Sequence, residues 1–213
     1  GSVLLAIALL WVTNRWITRP LRELADQAVD MAGKGLPAAV QEILETPVNE
    51  TVALPQLTPV HVRAGGEVHD VEVALNRVQD SAVALAALEK LNELHVAGLD
   101  KYSSMLTDSS FSGQIKVHTD SLSADSLPSV AQYIKKIFLV SDNDAYNRLY
   151  EFVGQQLLNE KLWSKGYSNS RITRRFMPMT EDENRHTNQI RFVKDGKTIY
   201  VQQPAYNQQP FDF

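Results

Sequence analysis

Apolar positions along the chain fall into three patterns. Residues 3–12, VLLAIALLWV, are continuously apolar. From there to residue 85 the apolar residues recur at steps of three and four: Leu21, Leu24, Ala28 and Met31, then Val68, Val71, Leu75, Val78, Ala82 and Leu85. That spacing places one apolar seam on each of two helices and is the heptad pattern of a coiled coil. Gly33 and Gly35 end the first helix, and a connector with Pro37, Pro47, Pro55 and Pro59 is too rich in proline to be one helix. After residue 85 the phase slips. Glu89 falls where the seam would continue, and Leu88, Leu91 and Leu94 carry the apolar face instead.

The remaining chain reads as short helices followed by a hairpin. ALEKLNELHVAGLDKY predicts a helix ending near Gly98, with Leu88, Leu91 and Leu94 on one face. SLPSVAQYIKKIFLV predicts another, with Pro128 in its first turn and Val130, Ile134, Ile137 and Phe138 as its stripe. Ser141-Asp142-Asn143 is the turn after it. Further helices are expected over about 144–153 and 155–165, with Trp163 packing inward. IRFVKDGKTIYVQQ, residues 190–203, reads as a hairpin turning at Asp195-Gly196.

Composition breaks where the heptad does. All seven Tyr and all seven Phe lie beyond residue 100. Residues 1–88 carry six basic and ten acidic side chains, whereas residues 89–213 carry fifteen of each. Two segments of different history give such a contrast, as does a fusion of two genes. The net charge of −4 and the lack of any Lys/Arg cluster argue against duplex nucleic acid as a partner. The absence of Cys excludes disulfides, thiolate catalysis and Cys-ligated zinc. No His pair has metal-ligand spacing with a carboxylate, and no cofactor is expected.

Trp11, Arg15, Trp16 and Arg19 close the first apolar run, as aromatic and basic residues do at a membrane–water boundary. Ten apolar residues are too few to span a bilayer. Residues 1–19 are therefore read as the C-terminal part of a membrane helix whose start is missing, with a buried soluble helix as the alternative. Pro20 in ITRPLREL, the first heptad helix, the non-helical connector, Glu67 and the second heptad helix in GEVHDVEVALNRV together resemble a HAMP domain over about residues 15–86. The likeness is nearest to those of actinobacterial sensor histidine kinases, although the connector is long. An amphipathic helical hairpin is the plainer alternative. The resemblance implies a parallel dimeric four-helix bundle on the cytoplasmic side of a membrane. Such a bundle passes on a displacement and has no catalytic residues, and Pro20 and Glu67 are structural in it. His95 lacks the acidic neighbour of a phospho-acceptor and is expected at a surface or loop edge.

ALEKLNEL, the Ser141-Asp142-Asn143 turn between two helices, YEFVGQQLLNEKLWSKGY and RITRRFMPMTEDENRHTN together resemble the class A β-lactamase-like serine hydrolases, in a form associated with Bacteroidetes, from about residue 87 onward. The resemblance implies that Ser141 relays a proton to the leaving nitrogen, Asn143 hydrogen-bonds the substrate amide, and Asp142 holds the loop. It also implies a β-lactam or cell-wall-like amide as ligand. Glu181 and Glu183 lie about where the family's loop glutamate belongs, and Glu183 is a candidate base, although both also fit solvated loop charges. Ser, Asp and Asn are equally the favoured helix N-caps, so the same tripeptide reads as a cap for DAYNRLYEF.

The family's nucleophile turn, Ser-x-x-Lys, occurs nowhere in the chain, and Ser81-Ala82-Val83-Ala84 is its nearest likeness in place. Lys197-Thr198-Ile199 has Ile where the family's Lys-Thr-Gly strand has Gly, and the chain stops at FDF before that strand is expected. The expected fold is mainly α with a small β-hairpin. Residues 1–19 form the membrane segment, 20–86 the HAMP-like relay, and 87–213 an incomplete hydrolase domain. The leading expectation is a fused or truncated product without complete activity. The alternatives are a membrane-anchored signalling protein with a non-catalytic binding domain, and a serine hydrolase acting on β-lactam-like amides.

Overall fold

The computed structural model describes residues 68–109 and 115–209. Residues 1–19, Pro20, Glu67 and the first heptad helix lie outside the described residues. The chain divides into two compact units, Gly1–Ser81 and Ala82–Phe213. Of the first unit, only the stretch from residue 68, the opening of helix α1, is described.

Helix α1, Val68–Glu93, contains neither Gly nor Pro and is rich in Ala and Leu, the strongest helix formers. It runs without interruption past the heptad slip. From Val83 to Leu88 every side chain is buried, the mark of a helix enclosed on all sides. Towards its end, Glu89 and Glu93 pair with Lys161, and Glu89 also with Lys165. The helix stops at Glu93, earlier than the expected end near Gly98. His95, two residues on, enters the left-handed region at φ 47°, and Gly98 also has positive φ, at 81°. His95 is exposed, at the loop edge.

Strand β1, Ser104–Asp108, buries Met105 and Thr107. Helix α2, Val130–Val140, starts after Ser129, whose hydroxyl accepts the Gln132 N–H at 3.1 Å. Pro128 thus precedes the cap rather than lying in the first turn. Its carbonyl is engaged instead by the Met105 N–H at 2.7 Å, which ties the helix entry to β1. Val130, Ile134 and Ile137 are buried as the stripe predicts, and Phe138 is half-buried.

Helix α3, Asn143–Val153, and helix α4, Gln155–Ser164, join at Gly154, whose φ of 88° favours glycine. Trp163 is only half-buried, and its indole N–H donates to the Ser170 carbonyl at 2.8 Å. A short helix α5, Glu181–Arg185, precedes strands β2, Gln189–Lys194, and β3, Lys197–Gln202.

The three strands form one antiparallel sheet in the order β1-β2-β3. Asp195 and Gly196 both have positive φ, 50° and 73°, as a two-residue hairpin turn of matching twist requires. The expected hairpin is therefore present, and β1 extends it to a third strand. Phe152 and Phe192 meet edge to face at 5.3 Å between ring centres, joining α3 to the sheet. Among the described residues the architecture is five α-helices and this small sheet, mainly helical as expected. No described helix is long and apolar enough to cross a membrane.

Candidate functional site

Two residues separate α2 from α3, and so short a connection needs an abrupt reversal of backbone. Ser141 supplies it in the left-handed region, at φ 50° and ψ 48°, with its N–H donating to the Ile137 carbonyl at 3.0 Å. A non-glycine residue there costs on the order of 1–2 kcal/mol, and the capped helices on either side hold it in place. Asp142 follows in extended backbone as the N-cap of α3. Its Oδ1 accepts the Ala145 N–H at 2.9 Å, and its Oδ2 lies 3.1 Å from Lys136 Nζ. Lys136 also reaches the Asp120 carboxylate at 3.4 Å.

Electrostatics settle the charge states at this junction. Burial pushes the Asp142 carboxyl up, but the Ala145 N–H and the Lys136 ammonium outweigh it, and the group sits below its ordinary value. Burial pulls Lys136 down, yet Asp142 and Asp120 leave it raised. Both members of the pair are ionised near neutrality. The N-cap reading of the tripeptide falls on one residue, Asp142. Ser141 and Asn143 flank it, both exposed and neither with a side-chain hydrogen bond among the described residues. A hydroxyl and a carboxamide stand open to solvent on a backbone fixed from both sides.

The segment 165–188 is fastened by amide side chains from α3 and α4. Asn147 Oδ1 accepts the Phe176 N–H at 2.8 Å. Asn159 brackets Ile172, accepting its N–H at 2.8 Å and donating to its carbonyl at 2.9 Å. Gln155 donates to the Thr173 carbonyl at 2.9 Å. Asn184 Oδ1 accepts the Arg175 N–H at 3.0 Å, within the segment.

Arg148 and Glu151 of α3 form a buried charge cluster with Arg175. Glu151 is 3.1 Å from Arg148 and 3.5 Å from Arg175, and Asn188 donates to it at 3.4 Å. Burial pushes the Glu151 carboxyl up, and the two guanidinium groups oppose that shift. Arg175 also donates to the Glu183 carbonyl at 3.3 Å and to the His186 carbonyl.

The other sequence candidates are placed elsewhere. Glu183 sits at the third position of α5 in a capping box: its carboxylate accepts the Thr180 N–H at 2.7 Å and the Thr180 hydroxyl at 2.9 Å. These two bonds hold it below its ordinary pKa. Among the described residues no hydrogen bond or ion pair links it to Ser141-Asp142-Asn143. Glu181 is exposed, 3.5 Å from Arg174. His186 lies against Asp182 at 3.7 Å and stacks near Tyr206. Lys197, Thr198 and Ile199 lie in β3, with Thr198 opposite Val193. Ser81 lies inside α1. Among the described residues, no three His, Asp or Glu side chains cluster as metal ligands.

Sequence reasoning missed Lys136, Asp120 and the Arg148–Glu151–Arg175 cluster. A signal for the cluster was present in YNRLYEFV, where Arg148 and Glu151 stand three apart among side chains that are otherwise mostly apolar.

A family model described as the beta-lactamase enzyme family matches residues 82–201, more than half of the chain. No curated protein and no solved structure matches it.

Proposed function

The chain belongs to the beta-lactamase enzyme family through residues 82–201, and from that membership we propose a recognition unit for β-lactam-like or cell-wall-like amides, centred on Ser141 and Asn143, that does not acylate its ligand. The observation that carries this reading is the junction itself. Asp142 and Lys136 fix the turn, while the Ser141 hydroxyl and the Asn143 carboxamide stay exposed and unpaired among the described residues. A carboxamide both donates and accepts, so Asn143 suits a substrate amide, and the Ser141 hydroxyl suits the nitrogen beside it. Acyl transfer needs in addition a nucleophile with an adjacent base, and the chain has no Ser-x-x-Lys turn. Incubation with a fluorescent penicillin followed by intact-mass analysis tests this directly. The expected spectrum shows unmodified chain only; one added acyl group on Ser141 or another serine would make the unit an acylating enzyme instead.

A second reading concerns residues 20–86. Helix α1 carries the heptad seam unbroken into the family-matched region, and Val78, a seam residue, is 43 % exposed. We infer a fusion in which this segment self-associates as a parallel HAMP-like bundle. Residues 1–19 would anchor it to a membrane, with the relay on the cytoplasmic side. Cysteines introduced at Leu75 and Val78 should then cross-link between chains, and a protein that stays monomeric without cross-links at micromolar concentration would contradict the relay.

A further inference from the structure

Helix α2 presents two different faces as it nears its end. Val130, Ile134 and Ile137 turn into the core. Lys136, Leu139 and Val140 stand at i, i+3 and i+4 and so share another face. Lys136 marks what that face borders: its ammonium lies 3.1 Å from the carboxylate of Asp142, the residue between Ser141 and Asn143. The turn therefore lies on the Lys136 side of the helix end.

Leu139 and Val140 are nevertheless 80 % and 67 % exposed, and Val140 directly precedes Ser141. Exposed apolar residues that stand singly need no explanation. These two are adjacent, they adjoin the exposed Ser141 hydroxyl and Asn143 carboxamide, and their backbone is fixed. The Ser141 N–H closes α2 on the Ile137 carbonyl at 3.0 Å, and the Lys136–Asp142 pair ties the last turn of α2 to the start of α3. A surface held in this way loses little freedom when it is covered. Two side chains fall far short of the roughly 1,200–2,000 Å² that a stable protein interface buries. They match one aromatic or branched aliphatic group of a small ligand.

We propose that Leu139 and Val140 are specificity-determining residues, which receive the apolar acyl substituent of an amide held at Ser141 and Asn143. The preferred ligand is then an amide with a benzyl-like or branched aliphatic group beside its carbonyl. This selectivity rests on the recognition role proposed for Ser141 and Asn143.

The test is an amide chemical-shift titration of the full chain with benzylpenicillin and with its acetamido analogue, which keeps the fused ring and the amide but carries methyl in place of benzyl. Both should shift residues 141–144, and benzylpenicillin should also shift Leu139 and Val140. Its affinity should be about tenfold the higher, as expected for covering one apolar group. In the double variant Leu139→Gln, Val140→Thr the ratio of the two affinities should fall to about one, with an unchanged unfolding midpoint because both positions are exposed. Equal affinities for the unaltered chain, or a ratio that persists in the variant, would overturn the selectivity while shifts at 141–144 uphold the junction. No shift at 141–144 with either ligand would overturn both. Shifts at Leu139 and Val140 that grow with protein concentration alone would mean that a second copy covers the pair, and would overturn the proposal as well.

Discussion

The Ser141–Asn143 junction and the Arg148–Glu151–Arg175 cluster belong to neighbouring stretches of the chain, yet they are held in opposite ways. At the junction, a backbone cap and one ion pair fix the turn, and the side chains beside Asp142 remain exposed. In the cluster, the side chains themselves are the fastening: Glu151 is buried with both arginines, and Arg175 is further engaged by backbone carbonyls. A recognition site needs polar groups that are positioned but not satisfied, and the junction meets that need. A scaffold needs charged groups that are buried together and cannot leave, and the cluster meets that one, although Glu151 Oε1 and Arg175 Nε, 3.5 Å apart, are held by charge and not by a hydrogen bond. The contrast separates what changes at the two places should do: loss of stability at the cluster, loss of recognition at the junction.

The largest effect is expected at Glu151. Glu151→Gln leaves two buried guanidinium groups without their counter-charge, and breaking a buried pair in this way costs about 3–5 kcal/mol. Urea unfolding followed by circular dichroism should show the loss, and a change below 1 kcal/mol would mean that solvent reaches the cluster. Next is Asn159→Ala, which orphans the Ile172 N–H and carbonyl in a buried setting. About 2–3 kcal/mol is expected, with faster hydrogen exchange across 165–176 and little change at Ser141.

Smaller effects belong to the junction. Asp142→Ala removes the cap of α3 and the partner of Lys136 and should cost about 1 kcal/mol. Because the carboxyl of Asp142 is held below its ordinary value of 3.8, the unfolded chain binds more protons than the folded one just below that pH. The stabilisation is then complete above about pH 4 and is lost as pH falls through the folded value. Asp142→Asn should flatten this part of the acid limb, and an unchanged limb would show that the carboxylate is not engaged. Ser141→Ala and Asn143→Ala, at exposed positions, should each shift stability by less than about 0.5 kcal/mol.

What was legible in the sequence follows the same division. The cap at Asp142 and helices α2, α3 and α4 were visible because capping residues and three-and-four periodicity are local. The hairpin was visible in Asp195-Gly196 for the same reason. Strand β1 was not: SMLTD is five residues among serines, and it becomes a strand by pairing Met105 with Phe192, far along the chain. The end of α1 was misplaced because the helix already stops at Glu93 and the chain turns at His95, a residue that carries no helix-end signal, before it reaches Gly98. The charge cluster escaped because Arg175 meets Glu151 from a segment without regular structure. Glu183 drew notice by lying about where the resembled family's loop glutamate belongs, and in the fold its carboxylate closes a capping box.

The most direct test of the junction as a recognition site is an amide chemical-shift titration with benzylpenicillin, run on the chain and on Asn143→Ala. Reversible shifts centred on residues 141–144, lost in the variant while its unfolding free energy stays unchanged, are the predicted result. Absence of shifts at those residues, or identical shifts in the variant, would contradict the account.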